Sequence, residues 1–249
     1  MIGIFDSGSG GLSVLSAVRV LAPKADIAYF GDIANAPYGV RSANQLASLT
    51  KADVQILKSM GATEIVSACN SVSPAIIAGA AGETPVIEMT QPTAKGLRRF
   101  AGKKVLLIAT PATIDSKIYQ NALGNFLALD PLPIAELAGA IEFGSDDNEI
   151  SRIMRNAFEE RRGNRYDTLL LGCTHYPLVR GIIEREARQM FGLVECIDPA
   201  KFVADEVVRI FNTGGSGKMI FRISKDSTQF RSRVSGLFPK GNYLIEVGV

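Results

Sequence analysis

The sequence contains no tryptophan, one histidine (His175) and three cysteines, Cys69, Cys173 and Cys196. Each scarcity excludes something. One imidazole cannot build a histidine-rich catalytic centre. Three scattered thiols show no zinc-ligand spacing, so no metal site is expected. An odd, small number of cysteines argues against a disulfide framework and for a reducing compartment, which makes the cytoplasm the expected location. An excess of charge of one sign is also lacking, because 27 Lys and Arg face 25 Asp and Glu. That balance leaves no electrostatic footprint of a nucleic-acid binder or of a protein held on an anionic membrane surface. No apolar run approaches the roughly 20 residues that a membrane-spanning helix needs. The opening Met1-Ile2-Gly3-Ile4-Phe5-Asp6 has neither the basic flank nor the long apolar stretch of a secretory signal.

What is present is a globular composition. A chain of 249 residues, 47% of them hydrophobic, can bury a sizeable core. Short apolar runs at 2–6, 27–30, 64–68, 85–88, 104–109, 132–137, 167–171 and 194–197 read as strands. Most are apolar on both faces, as in a parallel sheet covered by helices. Helical patterns fall between them at 11–21, 42–60, 74–80, 92–100, 115–127, 149–162, 177–191 and 200–211, the second framed by Ser42 and Gly61. From 212 onward the chain is glycine-rich, followed by two β-rich pieces (219–224 and 243–247) around a short polar helix. The alternation indicates an α/β fold of two pseudo-symmetric lobes, each a mainly parallel sheet flanked by helices. The expected lobes are 1–93 plus 205–249, and 94–204.

A weak internal repeat supports two lobes. Ile65-Val66-Ser67-Ala68-Cys69-Asn70-Ser71 and Leu169-Leu170-Leu171-Gly172-Cys173-Thr174-His175 both run from an apolar strand through a small residue to a cysteine and polar residues. Ligands of open α/β sheets bind at the carboxyl ends of strands. Both thiols should therefore point out of strand ends, toward one another if the lobes face. Cys196 lies within an apolar run and reads as a small buried hydrophobe. The other two stand at helix starts, where a thiolate is favoured.

Paired thiols suit three tasks. A redox dithiol would be Cys-X-X-Cys, which is absent. A metal site would need more soft ligands. Proton transfer at a carbon acid needs one base and one acid on opposite faces, and no cofactor. His175, two residues from Cys173, could activate that thiol or shuttle its proton. Asp6, at the end of the first strand, could serve Cys69. The loop Asp6-Ser7-Gly8-Ser9-Gly10-Gly11 lacks the third glycine of a dinucleotide fingerprint, since Ser13 stands there. Its backbone N–H groups would suit a carboxylate. Gly214-Gly215-Ser216-Gly217-Lys218 fails as a phosphate loop at Asn212 and Met219 and reads as a flexible surface loop.

The segments 5–15 (FDSGSGGLSVL), 29–39 (YFGDIANAPYG), 67–71 (SACNS), 109–119 (ATPATIDSKIY) and 169–179 (LLLGCTHYPLV) resemble, in order and spacing, those of the glutamate racemases within the aspartate/glutamate racemase family. The resemblance covers nearly the whole chain. It implies a cofactor-independent enzyme with its active site between two lobes, a homodimer in many cases, supplying D-glutamate for peptidoglycan. It implies that Cys69 takes the proton from D-glutamate, assisted by Asp6, and that Cys173 takes it from L-glutamate, assisted by His175, with Glu142 as an acidic residue near the second thiol. Asp6, Ser7, Tyr38, Gly39, Asn70, Ser71, Thr174 and His175 would bind the substrate. The sequence departs from the family pattern at Ser71 (usually Thr), Ser9 (usually apolar), Pro74 (usually Ala), Ile33, Asn35 and Ala36 (usually Thr, Arg and Val), and Phe143 (often Glu). All leave both thiols in place. A racemase of aspartate or another acidic amino acid, a relative that binds carboxylates without turnover, and a one-thiol isomerase or decarboxylase are the other readings of the same residues.

Overall fold

The computed structural model describes residues 1–124, 126–192, 194–239 and 241–248. Asn125, within the expected helix 115–127, and Lys240 and Val249 of the expected first lobe lie outside the described residues. The first sheet takes β1 (Ile2–Asp6), β2 (Ile27–Gly31), β3 (Glu64–Ser67) and β4 (Val86–Ile87). The second takes β5 (Lys104–Ala109), β6 (Ala128–Pro133), β7 (Thr168–Gly172) and β8 (Glu195–Ile197). The chain then returns to the first sheet with β9 (Met219–Ile223) and β10 (Tyr243–Val247). The strand orders are β10-β9-β2-β1-β3-β4 and β6-β5-β7-β8. Pairing is parallel throughout. The four-strand order 2-1-3-4 thus occurs twice, and the tail strands extend one copy.

The helices are α1 (Leu12–Leu21), α2 (Ala43–Ser59), α3 (Ser73–Ile77), α4 (Thr90–Leu97), α5 (Pro111–Asp115), α6 (Ile118–Leu123), α7 (Leu137–Phe143), α8 (Asp147–Glu159), α9 (Arg180–Phe191), α10 (Ala200–Ile210) and α11 (Thr228–Leu237). Ser42 caps α2 in a reciprocal capping box with Gln45, as its position ahead of the helix implies. None of the described helices is long and apolar enough to cross a membrane.

Each sheet is buried on both faces, because successive strand residues point opposite ways. Ile4 joins Leu12, Val18, Val203 and Val207 of α1 and α10, while its neighbour Phe5 joins Val54 and Leu57 of α2. In the second sheet Leu106 and Ile108 meet Leu137, Ile153 and Ile183, and Val105 and Leu107 meet Leu97 and Leu123. The start of α10 touches both cores: Ala200 and Val203 share the first, and Phe202 packs against the second.

Three expectations need correction. The run 132–137 is not a strand: β6 lies earlier and α7 follows it. Pro131 and Pro133 cannot donate to a ladder, and they are accommodated because β6 is an edge strand. The helix expected at 115–127 is two short ones, broken where Lys117 takes a left-handed conformation, φ 54°. The loop 214–218 is tied down: the N–H and O–H of Ser216 and the N–H of Lys218 all donate to Asp26 Oδ1 at 2.9 Å.

Phe221 of β9 is fully buried against Tyr29, Phe230, Phe238 and Tyr243. Phe221→Ala should cost about 3–5 kcal/mol, read as a lower urea midpoint with an unchanged slope. An unshifted midpoint would show that the tail is not part of the first core.

Candidate active site

The repeated strand order places β1 beside β3 and β5 beside β7, so the loops leaving their carboxyl ends meet between the sheets. Cys69 follows β3 and opens a 3₁₀ turn, Asn70–Val72. Cys173 follows β7, with His175 opening the turn Tyr176–Val179. Both thiols are buried and free. They line one small cavity together with Ser7, Pro37, Tyr38, Gly39, Asn70, Ser71, Thr110, Ala138, Thr174 and His175. Seven of the residues expected to bind substrate are thus brought together with both thiols. Among the described residues, no lysine or arginine lines the cavity.

Asp6 and Glu142 stand behind the lining. Asp6 Oδ2 accepts from Gly8 N–H at 3.0 Å, and Oδ1 accepts from the Thr174 hydroxyl, across the lobes, at 3.1 Å. Glu142 Oε2 bonds His175 Nε2 at 2.8 Å, and accepts from Ser9 N–H at 3.0 Å and Ser9 O–H at 2.6 Å. His175 Nδ1 lies 3.9 Å from Cys173 Sγ. The N–H groups of the glycine loop therefore do bind carboxylates, but these are the protein's own. The glycines make room for this: a Cβ on Gly10 would sit 2.5 Å from His175 Nδ1, and one on Gly39 would sit 2.4 Å from Thr110 Cβ.

A second set of cross-lobe bonds closes the Cys69 side. The Tyr119 hydroxyl donates to Asn70 Oδ1 at 2.6 Å, leaving the buried Asn70 Nδ2 without a partner. Ser71 Oγ meets Thr110 Oγ1 at 3.0 Å. Tyr38 lines the cavity with its ring and backbone, since its hydroxyl bonds Asp32 at 2.7 Å and Asp53 at 3.0 Å. One phenolic proton cannot serve two carboxylates. Burial and the neighbouring Asp32 push Asp53 well above the usual carboxylate range, which favours a proton shared among the three groups.

The electrostatics differ on the two sides. Burial, then the charges of Asp6 and Cys173, push the Cys69 thiol well up, against the pull of the Ser71 and Val72 N–H groups. Burial also raises Asp6, with His175 and loop N–H groups opposing. Burial would raise Glu142 too, but the hydrogen bond and charge of His175 and the two Ser9 donors hold it at about 2. Burial disfavours the imidazolium of His175, yet its hydrogen bonds to Cys173 and Glu142 and the charges of Cys173 and Asp6 lift its pKa well above the ordinary value. As imidazolium, His175 donates Nε2–H to Glu142 and aims Nδ1–H at the Cys173 sulfur.

Sequence reasoning passed over Thr110, Thr113 and Tyr119, although they sit in the family-like segment 109–119, and Arg233. Of these contacts only Ser9 left a trace, as a departure from the family pattern.

Fold and site together define a class: a two-lobed α/β protein with one thiol from each lobe on a shared closed cavity. Residues 13–207 match the model of the Asp/Glu/Hydantoin racemase family, and the chain belongs to that family. A glutamate racemase of Aquifex aeolicus is 35% identical over 225 residues, spanning 88% of this chain and 86% of the relative. The structure of a glutamate racemase isoform from Bacillus anthracis superposes with a TM-score of 0.86 at 30% identity, covering 100% of this chain and 97% of that one. That of the Francisella tularensis glutamate racemase, solved with D-glutamate, gives 0.84 at 26% identity, covering 100% and 97%.

Because His175 is the only histidine, its titration in tag-free protein can be followed by NMR without assignment. It should remain protonated well above pH 6.5 and return toward that value in Glu142→Gln. A raised folded pKa means that the stability gained from the charged imidazole is full below about pH 6.5 and is lost as pH rises through the folded value. An ordinary His175 titration in the native protein would refute this arrangement.

Proposed function

We propose that the protein interconverts L- and D-glutamate by two-thiol proton transfer and supplies D-glutamate for peptidoglycan. The observation that carries this reading is that equivalent strand ends of two repeated sheets each deliver a cysteine to one closed cavity. The Aquifex and Bacillus relatives are named glutamate racemases, and the Francisella structure holds D-glutamate.

With L-glutamate bound, the Cys173 thiolate removes the α-proton from one face. The electron pair left on carbon delocalises into the α-carboxylate, and the Cys69 thiol delivers its proton to the opposite face. The products are D-glutamate, a Cys173 thiol and a Cys69 thiolate. The reverse direction exchanges the roles. Burial and Asp6 hold Cys69 as a thiol, the form needed as the acid when L-glutamate reacts. The raised pKa of Asp6 lets it hold the proton that Cys69 must lose when D-glutamate is the substrate. His175, fixed by Glu142, does the corresponding work for Cys173.

An anionic substrate in this cavity must be held by hydroxyls, the Asn70 amide and backbone N–H groups. The unpartnered Asn70 Nδ2 and the Ser7 and Ser71 hydroxyls are the side-chain donors the lining offers, the Thr174 hydroxyl proton being taken by Asp6. A closed, water-poor site strengthens each of these bonds. The enzyme acts in the cytoplasm and pairs as a homodimer; sedimentation of the purified protein tests the second point.

Protein free of pyridoxal phosphate, given L- or D-glutamate in D₂O, should racemise it and place deuterium at the α-carbon, with aspartate a poor substrate in the same circular-dichroism assay. Cys69→Ala and Cys173→Ala should each lose roughly 10²–10⁴-fold. Full rates in both single variants would refute the two-thiol mechanism.

A further inference from the structure

Arg233 lies on α11 in the tail, and only 15% of its side chain is exposed. Its Nη1 donates to Ser9 Oγ and its Nη2 to the carbonyl of Ile141. Nη1 is also 3.6 Å from Glu142 Oε2. One cation from the tail thus grips the glycine loop of the first lobe and the end of α7 in the second, on either side of the carboxylate that holds His175. Ser9 makes this a directed chain. Its oxygen accepts from Arg233, so its single hydroxyl proton is free to go to Glu142. Glu142 Oε2 then receives Ser9 O–H, Ser9 N–H and His175 together, while Oε1 has no partner. The carboxylate's orientation is therefore set wholly through one oxygen.

We propose that Arg233, acting through Ser9, is a positioning residue for the Cys173 half of the reaction: it fixes Glu142 and thereby the imidazole that faces Cys173, and this hydrogen-bonded chain does not reach Cys69. The proposal rests on the two-thiol reading above and adds a residue that faces neither thiol nor cavity. A buried tail cation could also serve only to fasten α11 to the body of the protein. The two roles part on one point. A fastener affects both proton transfers alike, whereas this chain ends at one thiol only. Cooperative polarisation along Arg233, Ser9, Glu142 and His175 gives the physical coupling.

The test compares Arg233→Met, which keeps the length of the stem, with Arg233→Lys, which keeps the charge, and with Ser9→Ala. Folding is verified by circular dichroism and thermal melting. Since the two enantiomers are equal in free energy, kcat/KM must fall by the same factor in both directions, roughly 10- to 100-fold in Arg233→Met. The discriminating readout is the primary isotope effect on kcat/KM with α-deuterated substrates. Slowing only the Cys173 step makes that step limit the reaction of the enantiomer it deprotonates, so that isotope effect rises. The other enantiomer then loses its deuterium in a reversible step before the slow one, and its isotope effect falls toward the equilibrium value for moving hydrogen from carbon to sulfur. Ser9→Ala should shift both isotope effects in the same sense as Arg233→Met, and Arg233→Lys should restore part of the rate. Isotope effects that stay unchanged or move together would overturn the proposal. A second readout needs no turnover. The downfield proton resonance of His175 Nε2–H should be present in the native protein, broadened by solvent exchange in Arg233→Met and retained in Arg233→Lys. An intact resonance in Arg233→Met would also overturn it. Native protein that does not racemise glutamate would refute the reading of the site instead, and the resonance alone would then decide the role of Arg233.

Discussion

One carboxylate oxygen, Oε2 of Glu142, receives Ser9 N–H, Ser9 O–H and the His175 imidazole in a site closed to solvent. A buried carboxylate is costly unless such donors surround it. Here the donors come from a loop of the first lobe and a strand end of the second, so the closed lobes supply the bonds that burial takes from water. The same oxygen sets the orientation of the one histidine and gives it a charge that burial alone would remove. Lobe closure and acid–base chemistry are thus two readouts of a single set of bonds.

The opposite side of the cavity is held by neutral groups. Tyr119 reaches Asn70, and Thr110 reaches Ser71. Neutral hydrogen bonds are weaker and more tolerant of pH than charge-assisted ones. The two thiols occupy topologically equivalent positions yet meet different environments: Cys69 a carboxyl whose pKa is raised, Cys173 an imidazolium. Mirror-image substrates must be met by an acid and a base that trade places, and equal chemistry on both sides is not required for that. Each side needs only a partner able to hold the proton its thiol gives up.

Much of this was legible in the sequence, and the reasons are local. A strand of apolar residues followed by a small residue, a cysteine and polar side chains carries its own geometry, so both thiol positions and their equivalence could be read directly. Ser42 ahead of the helical run and Gly61 just past it mark its two ends in the same way. The misplaced strand at 132–137 shows the limit. Leu132, Ile134 and Leu137 are all buried, but the first closes β6, the second lies in the loop and the third opens α7, and apolar character alone cannot distinguish these. Contacts between distant parts of the chain left almost no trace. Arg233 and Ser9 are separated by 224 positions, and Tyr119 and Asn70 by 49. The first pairing is decided by how the returning tail packs on the first lobe, the second by how the lobes dock. The glycine loop was read for the right donors and the wrong acceptor, because nothing local says that Asp6 and Glu142 will fill it.

The tail strands β9 and β10 extend the first sheet beyond β2 and leave the second sheet with four strands. This asymmetry has a consequence for how the chain is made. On the ribosome, the segments that form the second sheet emerge as one continuous stretch and can complete their core early, since domains generally fold as units during synthesis. The first sheet must wait. Until β9 is released, β2 presents an open edge of unpaired backbone groups, the kind of surface that recruits wrong partners. The same late segment carries α11, so the contact of Arg233 with the glycine loop forms only after the second sheet has been made.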